Sequence, residues 1–314
     1  MSGFGAGLAT RSRLALAVLA ALAVWLAVTL VPRLLGSDDT LWRIVHGQCV
    51  PHVVRGDGPA PCRAVDLWAG VEHGYAVLKD LRGRAQYLLI PTAKIAGIES
   101  PLLLRPDGTN YFARAWSARV FVEERLGHPL DRRDVSLAVN APLRRSQGQL
   151  HIHIDCVRRD VREALQRLAP QIGDRWTPLT ERLAGRRYRA IRVPGNDLGG
   201  TDPFRLLAND GGARSAMGEH SLTVVGVDVP GQGPGFVILD GQVTSRFGEA
   251  SNGETLQDHS CTSASVGRPD GAPAKERSEP VSVRSRGRVS RPPSARPAAA
   301  PFGAAPAPSR SVGG

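Results

Sequence analysis

Cysteine is rare in this sequence, and closely spaced metal ligands are scarce. The four cysteines are Cys49, Cys62, Cys156 and Cys261. A structural zinc site needs ligands in closely spaced pairs, so these spacings exclude a zinc site built from cysteine. An even number of cysteines is consistent instead with two disulfides in an oxidising compartment. Of the three possible pairings we predict Cys49–Cys62, which closes a short Pro- and Gly-rich loop, and Cys156–Cys261.

Large apolar residues are almost absent from residues 262–314, which consist mainly of Pro, Ala, Ser, Gly and Arg. Such a composition cannot bury enough apolar surface to fold, so we predict a disordered tail. The tail holds nine basic and three acidic residues, which accounts for six of the eleven net positive charges. The basic balance therefore does not predict nucleic-acid binding by the folded part. Plain solvation of the tail is favoured over contact with lipid headgroups.

A single long apolar run lies near the N-terminus, where residues 14–31 carry no charge and follow Arg11 and Arg13. At about 1.5 Å per residue this run spans roughly 27 Å as a helix, close to the thickness of a bilayer core. No clear signal-peptidase site follows it. A buried core helix is the alternative, but we predict a transmembrane signal anchor over residues 14–35. Residues 1–13 would be cytoplasmic, and the remainder would lie in the periplasm of a bacterial inner-membrane protein.

From residue 40 to residue 261 the patterns predict an α+β domain, an antiparallel sheet with flanking helices. Strand patterns, the first two forming a hairpin, cover residues 74–80, 86–91, 134–140, 188–193, 221–227 and 236–239. Helical spacing covers residues 41–45, 110–127 and 158–169. Gly127 is expected to end the second of these helices.

The most informative segment is residues 149–156, in which polar and apolar residues alternate strictly. In a β-strand this pattern places Gln149, His151, His153 and Asp155 on one face. Two imidazoles about 7 Å apart, at roughly 3.3 Å per residue, can line a phosphate or a metal. The alternative is a half-exposed strand whose histidines are ordinary surface residues. Histidines that cluster in this way usually mark chemistry.

Three kinds of site could use this strand. One imidazole can attack phosphorus while its neighbours hold the phosphate oxygens. Alternatively, His151, His153 and Asp155 can begin a metal site of the metallo-β-lactamase type, although no second compact His/Asp cluster follows. The third possibility is a binding site without turnover. His220 and His259 stand in polar stretches, where we predict loop residues rather than ligands.

The loop before the histidine strand supplies two cations, a hydroxyl and an amide, from Arg144, Arg145, Ser146 and Gln147. Such side chains, together with backbone N–H groups, can cradle phosphate oxygens. Polar loops rich in arginine are often merely solvated. The position of this loop between two predicted strands of the site favours a role in substrate binding.

The order of these elements resembles the histidine-triad nucleotide hydrolases and transferases. The phrases VLKDL, QYLLIPT, ESPLL and HIHI followed by Asp-Cys are similar to those of one branch, the bacterial CDP-diacylglycerol pyrophosphatases. That branch also begins with a membrane anchor and a paired-cysteine segment. The resemblance runs from Leu41 to Cys261 and does not cover the tail.

The resemblance implies roles for individual residues. His151 matches the attacking histidine, and His153 matches the histidine that contacts the phosphate. Gln149 departs from the family pattern, because it stands where the triad has its first histidine; at that position it is predicted to bind substrate. The resemblance also implies substrate-binding roles for Asp80 at the ribose, and for Asn140 and Gln147 around the phosphates.

The implied reaction is hydrolysis of CDP-diacylglycerol, held in the bilayer, to CMP and phosphatidate. His151 would form a covalent nucleotidyl intermediate, and the scheme requires no metal or other cofactor. Two alternatives remain at this point. One is a metal-dependent phosphodiester hydrolase that uses His151, His153 and Asp155, and the other is an anchored nucleotide-lipid binding protein without turnover.

Overall fold

The computed structural model describes residues 18–22, 25, 39–243, 251–262 and 264. Most of the predicted anchor, residues 14–35, and nearly all of the predicted tail, residues 262–314, lie outside these ranges. Within them, no helix combines the length and the apolar character needed to cross a membrane. The anchor and the disordered tail therefore stay predictions.

In the described part of the chain, ten strands form one sheet in which every pair is antiparallel, as predicted. The strands are β1 (Ala64–Asp66), β2 (Tyr75–Lys79), β3 (Tyr87–Pro91), β4 (Val135–Val139), β5 (Ile152–Val157), β6 (Thr177–Pro178), β7 (Arg189–Pro194), β8 (His220–Val229), β9 (Gly233–Gln242) and β10 (Gln257–Asp258). Their order across the sheet is β1-β2-β3-β5-β4-β8-β9-β7-β6, and β10 pairs with β5.

The helices are short and flank the sheet. They are α1 (Thr40–Ile44), α2 (Val50–Arg55), α3 (Tyr111–Ala118), α4 (Val120–Leu126), α5 (Arg159–Leu168) and α6 (Pro203–Ala208). A π-helical turn (Val45–Cys49) joins α1 to α2. The helix predicted over residues 110–127 is two helices that meet at Arg119, and it ends as expected at Gly127, whose φ of 82° is easily reached by glycine.

The two faces of the sheet are covered differently. Ile152 and Ile154 of β5 belong to the main core, which includes Phe112 and Trp116 of α3. On the opposite face, the apolar residues of α1 and α2 pack against β1–β3. The residues of α5 pack on that same face, against β8 and β9. The histidine-bearing face of β5 therefore lies between two covered regions, where a site can form.

The C-terminal segment completes one edge of β5. Along that edge β3 pairs with Ile152–Ile154, and β10 continues the pairing at Cys156 and Val157. The disulfide Cys156–Cys261 fixes the same segment, and a second disulfide, Cys49–Cys62, joins the π-helical turn to the loop before β1. Both predicted pairings are therefore present. Residues more than 100 positions apart in sequence meet at the C-terminal end of the histidine strand.

The structure corrects two expectations from the sequence. His220 is not a loop residue: it begins β8, is buried, and its Nδ1 lies 2.8 Å from Oδ1 of the buried Asp240. The histidine strand starts at Ile152 rather than at residue 149: Leu150 N–H donates to Ile95 in the loop after β3, and Gln149 Nε2 donates to Pro91 at the end of β3 and to Ala93.

Candidate active site

His151 has the protonation state and orientation of a nucleophile. It is buried, with 8% of the residue exposed, and its Nδ1 lies 2.8 Å from the backbone carbonyl of Gln149. A carbonyl can only accept, so Nδ1 carries the proton and donates it, which leaves the lone pair on Nε2. Burial lowers the pKa of His151, so its imidazole is neutral near pH 7.

His153 is arranged as a donor beside this nucleophile. The two rings meet edge to face with centroids 4.8 Å apart. Gln86 Nε2 lies 2.6 Å from His153 Nδ1 and donates to it, so the proton of a neutral ring is on Nε2. Burial and the neighbouring His151 hold the pKa of His153 well below its usual range. His153 Nε2 is buried and has no hydrogen-bond partner among the described residues, so it is free to donate to a substrate oxygen.

Two carboxylates flank His153. Its Nδ1 lies 3.9 Å from Asp80 Oδ2 and 3.6 Å from Glu254 Oε1. Asn140 Nδ2 donates to Glu254 Oε2 over 2.7 Å. The structure thus brings together four residues predicted from the sequence, His151, His153, Asp80 and Asn140, and adds Glu254 to them.

The loop predicted to cradle phosphate contributes unequally. Arg145 is 10% exposed and makes a double ion pair with Glu99, at 2.7 and 2.6 Å. Its positive charge lowers the pKa of His151. Arg144 and Ser146, by contrast, are exposed.

Gln147 and Gln149, both predicted to bind substrate, bond to backbone groups of the protein. Gln147 Oε1 accepts from the backbone N–H of Leu41 over 3.2 Å, which ties the loop to the start of α1. Gln149 is wholly buried, and its Nε2 donates to the carbonyls of Pro91 and Ala93. Where the triad pattern has its first histidine, this chain therefore has an amide that holds the loop after β3.

His259 and Asp155 form a hydrogen-bonded imidazole–carboxylate pair close to His153 and Glu254. The wholly buried Asp155 accepts from the backbone N–H of Cys156 through Oδ1 and from His259 Nδ1, 2.7 Å away, through Oδ2. Burial raises the pKa of Asp155, and the bond from His259 opposes that rise. The same bond raises the pKa of His259. His259 Nε2 lies 3.8 Å from Glu254 Oε1, so the pair adjoins the site.

Sequence reasoning missed Glu254, His259 and Gln86 as site residues. His259 does lie in a turn, as predicted, but it is bonded to a residue 104 positions earlier. A signal was present, since the predicted Cys156–Cys261 disulfide already places residue 259 beside Asp155. Nothing comparable pointed to Glu254.

The three residues that the metal-dependent alternative requires do not form a ligand cluster in the described part of the chain. Among the described residues, the only close group of three histidine, cysteine or acidic ligand atoms consists of Asp155, Cys156 and Cys261. Both of those sulfur atoms are joined in the disulfide. His151, His153 and Asp155 do not form such a group, because the carboxylate of Asp155 is directed to His259.

The sequence is similar to known proteins over most of its length. A family model described as CDP-diacylglycerol pyrophosphatase matches residues 36–265, which is more than half of the chain. The chain belongs to this family. A CDP-diacylglycerol pyrophosphatase of Yersinia pestis is 41% identical over 238 residues, which cover 75% of this chain and 89% of that protein. The predicted membership of the CDP-diacylglycerol pyrophosphatases, and with it the assignment as a hydrolase, is confirmed.

The match to the CDP-diacylglycerol pyrophosphatases includes the whole site. Residues 36–265 contain the histidine strand, the hairpin with Asp80, and the C-terminal segment with Glu254 and His259. The matched region also includes all four cysteines, so both disulfides lie within it.

Proposed function

We propose that this chain hydrolyses the pyrophosphate of CDP-diacylglycerol to CMP and phosphatidate through a covalent cytidylyl intermediate on His151. Family membership supports the substrate and the reaction. The covalent route is supported by the hydrogen bond from His151 Nδ1 to the Gln149 carbonyl, which leaves a neutral imidazole with its lone pair on Nε2.

In the first step one bond to phosphorus forms and one breaks. His151 Nε2 attacks the cytidylyl phosphorus, and the bond from that phosphorus to the bridging oxygen breaks, with its electron pair leaving on phosphatidate. The product is a phosphoramidate on His151. In the second step water loses a proton as it attacks the same phosphorus, the P–N bond breaks with its electron pair returning to Nε2, and CMP is released. A nucleophile of this kind divides one difficult displacement into two easier ones.

Neighbouring groups are placed to offset the charge that develops on phosphorus oxygens. The free Nε2–H of His153 can donate to a nonbridging oxygen. The guanidinium of Arg145, fixed by Glu99, adds a positive charge nearby. Donors that are fixed before the reaction stabilise developing charge without having to reorganise, which is the basis of this type of catalysis.

The proposed setting is the periplasmic surface of the inner membrane, with residues 14–35 as the anchor. Two disulfides support an oxidising compartment. A diacyl substrate stays in the bilayer, and a tether raises the effective concentration of the enzyme beside it. The partners in this account are the membrane and its CDP-diacylglycerol, not nucleic acid.

The reaction is tested with the purified full chain in detergent micelles containing CDP-diacylglycerol, with and without a chelator. We expect CMP and phosphatidate in equal amounts and no loss of rate with chelator. Binding of the lipid without release of CMP would establish the non-catalytic alternative. Loss of turnover with chelator, restored by added metal, would establish the metal-dependent one.

The pH dependence of activity gives a further prediction. Burial lowers the pKa of His151 from its usual value near 6.5; Glu254 and Asp80 oppose this effect, and Arg145 reinforces it. Because the nucleophile must be neutral, kcat/KM is expected to stay high down to a pH below 6.5 and to fall only under that value. A pH profile of kcat/KM checks this. An acid limb centred above pH 6.5 would contradict it.

A further inference from the structure

The C-terminal segment places the carboxylate of Glu254 beside His153, and neither reaction step described above uses it. Glu254 begins the 3₁₀ helix (Glu254–Leu256) directly before β10, which is held against β5. Among the charged side chains that act on the pKa of His151, Glu254 has the largest effect. Its side chain is 22% exposed, so a proton taken up there can leave to solvent.

Glu254 is held at one oxygen and open at the other. Oε2 accepts from Asn140 Nδ2 over 2.7 Å. Oε1 faces His153 Nδ1 at 3.6 Å and His259 Nε2 at 3.8 Å, both longer than a hydrogen bond. The carboxylate is therefore oriented from two sides, while Oε1 keeps capacity to accept from a further donor.

The second step of the covalent route needs such an acceptor, because the attacking water must lose a proton. His153 cannot serve, since its Nδ1 accepts from Gln86 and its Nε2 carries the proton of the neutral ring. The other nearby carboxylate, Asp80, accepts from the backbone N–H of Arg82 through Oδ1 and lies farther from His153 than Glu254 does. Glu254 is the better placed base.

Resting on the covalent route proposed above, we propose that Glu254 is the general base that activates water to hydrolyse the His151 intermediate. One water proton passes to Glu254 Oε1 as the oxygen bonds to phosphorus, and the P–N bond breaks with its electrons returning to His151 Nε2. Glu254 then loses the proton to solvent. His259, held through Nδ1 by the buried Asp155, is a positioning residue that keeps its ring beside the carboxylate, with Nε2 3.8 Å from Oε1.

The order of the two steps makes this testable. In Glu254→Gln the first step does not need the lost base, whereas the second does. We expect rapid-quench experiments to show a burst of phosphatidate equal to the enzyme concentration, followed by turnover slowed about 10²- to 10⁴-fold, the usual contribution of a general base. Cytidylylated His151 should accumulate. In the wild type, CMP should follow phosphatidate much sooner, so that the adduct is present only briefly within each turnover.

Further variants separate a lost base from a damaged fold. Glu163→Gln, which alters an exposed side chain on α5 paired with Arg159, should behave as the wild type. His259→Gln should slow the same second step by a smaller factor, whereas a merely structural role would slow both steps together. In Glu254→Ala, added formate should restore release of CMP, because a small carboxylate can occupy the space left by the side chain.

The two proposals fail in different ways. Turnover without covalent CMP in either the wild type or Glu254→Gln would overturn the covalent route itself. Covalent CMP in the wild type, together with Glu254→Gln in which both steps slow equally and no adduct accumulates, would overturn only the role of Glu254. Failure of formate to restore CMP release in Glu254→Ala that still forms the adduct would also count against that role.

Discussion

Replacing His151 with alanine is expected to lower kcat by about 10⁴-fold or more, the scale found when a covalent nucleophile is removed. The reason is that Nε2 of His151 forms the bond to phosphorus, and the adjacent His153 has its proton on the corresponding nitrogen. The folded state should survive, since the variant loses one hydrogen bond and leaves the Gln149 carbonyl without its donor, at a cost of about 1–3 kcal/mol. Steady-state turnover and urea unfolding measure the two quantities.

The neighbouring histidine provides a contrast, and a distant one provides a control. His153→Ala keeps the nucleophile but loses a donor to the phosphoryl oxygen, so we expect a smaller loss, about 10²- to 10³-fold. His128→Ala, in the turn after α4, should leave activity unchanged. Equal losses for His151→Ala and His153→Ala, together with rescue by metal, would contradict the assignment of a single nucleophile.

Removal of the Cys156–Cys261 disulfide is expected to have the second largest effect. The bond closes 105 residues, so replacing both cysteines with alanine should lower the free energy of unfolding by about 4–5 kcal/mol. It also ties down the segment that carries Glu254 and His259. We therefore expect kcat to fall as well, even at temperatures where the variant stays folded. Urea unfolding and turnover of the same preparation measure both.

The other disulfide supplies a matched control. Cys49–Cys62 closes only 13 residues, and its loss should lower the free energy of unfolding by about 3 kcal/mol. It lies in the small core of α1, α2 and β1–β3, away from Glu254 and His259, so kcat of the folded variant should be unchanged. If both double variants lost kcat equally, the C-terminal disulfide would have no special part in assembling the site.

Local patterns explain why much of this site could be predicted from sequence. Strict alternation indicated the face that His151 and His153 share, and the predicted hairpin placed Asp80, whose role the family resemblance implied, directly after β2. Both signals depend on residues only a few positions apart. Asn140 follows the end of β4, and antiparallel pairing of β4 with β5 brings it to the same site.

The remaining features depend on contacts that periodicity does not encode. Glu254 and His259 reach the site because β10 pairs with β5 across about a hundred residues, and a two-residue strand leaves almost no pattern in the sequence. Gln147 and Gln149 are polar residues in a loop and at the start of the alternation. Their amides bond to backbone groups of Leu41, Pro91 and Ala93. These partners are more than 50 residues away in sequence, so no local pattern indicates them.

The most direct test of the covalent route is to trap the intermediate. The full-length enzyme, mixed with CDP-diacylglycerol labelled in the cytidylyl group, is quenched with base within one turnover, and the peptide containing His151 is analysed by mass spectrometry. We predict one CMP on His151, stable in base and lost in acid, as a phosphoramidate should be. Efficient turnover with no covalent CMP, or CMP attached to a residue other than His151, would contradict the account.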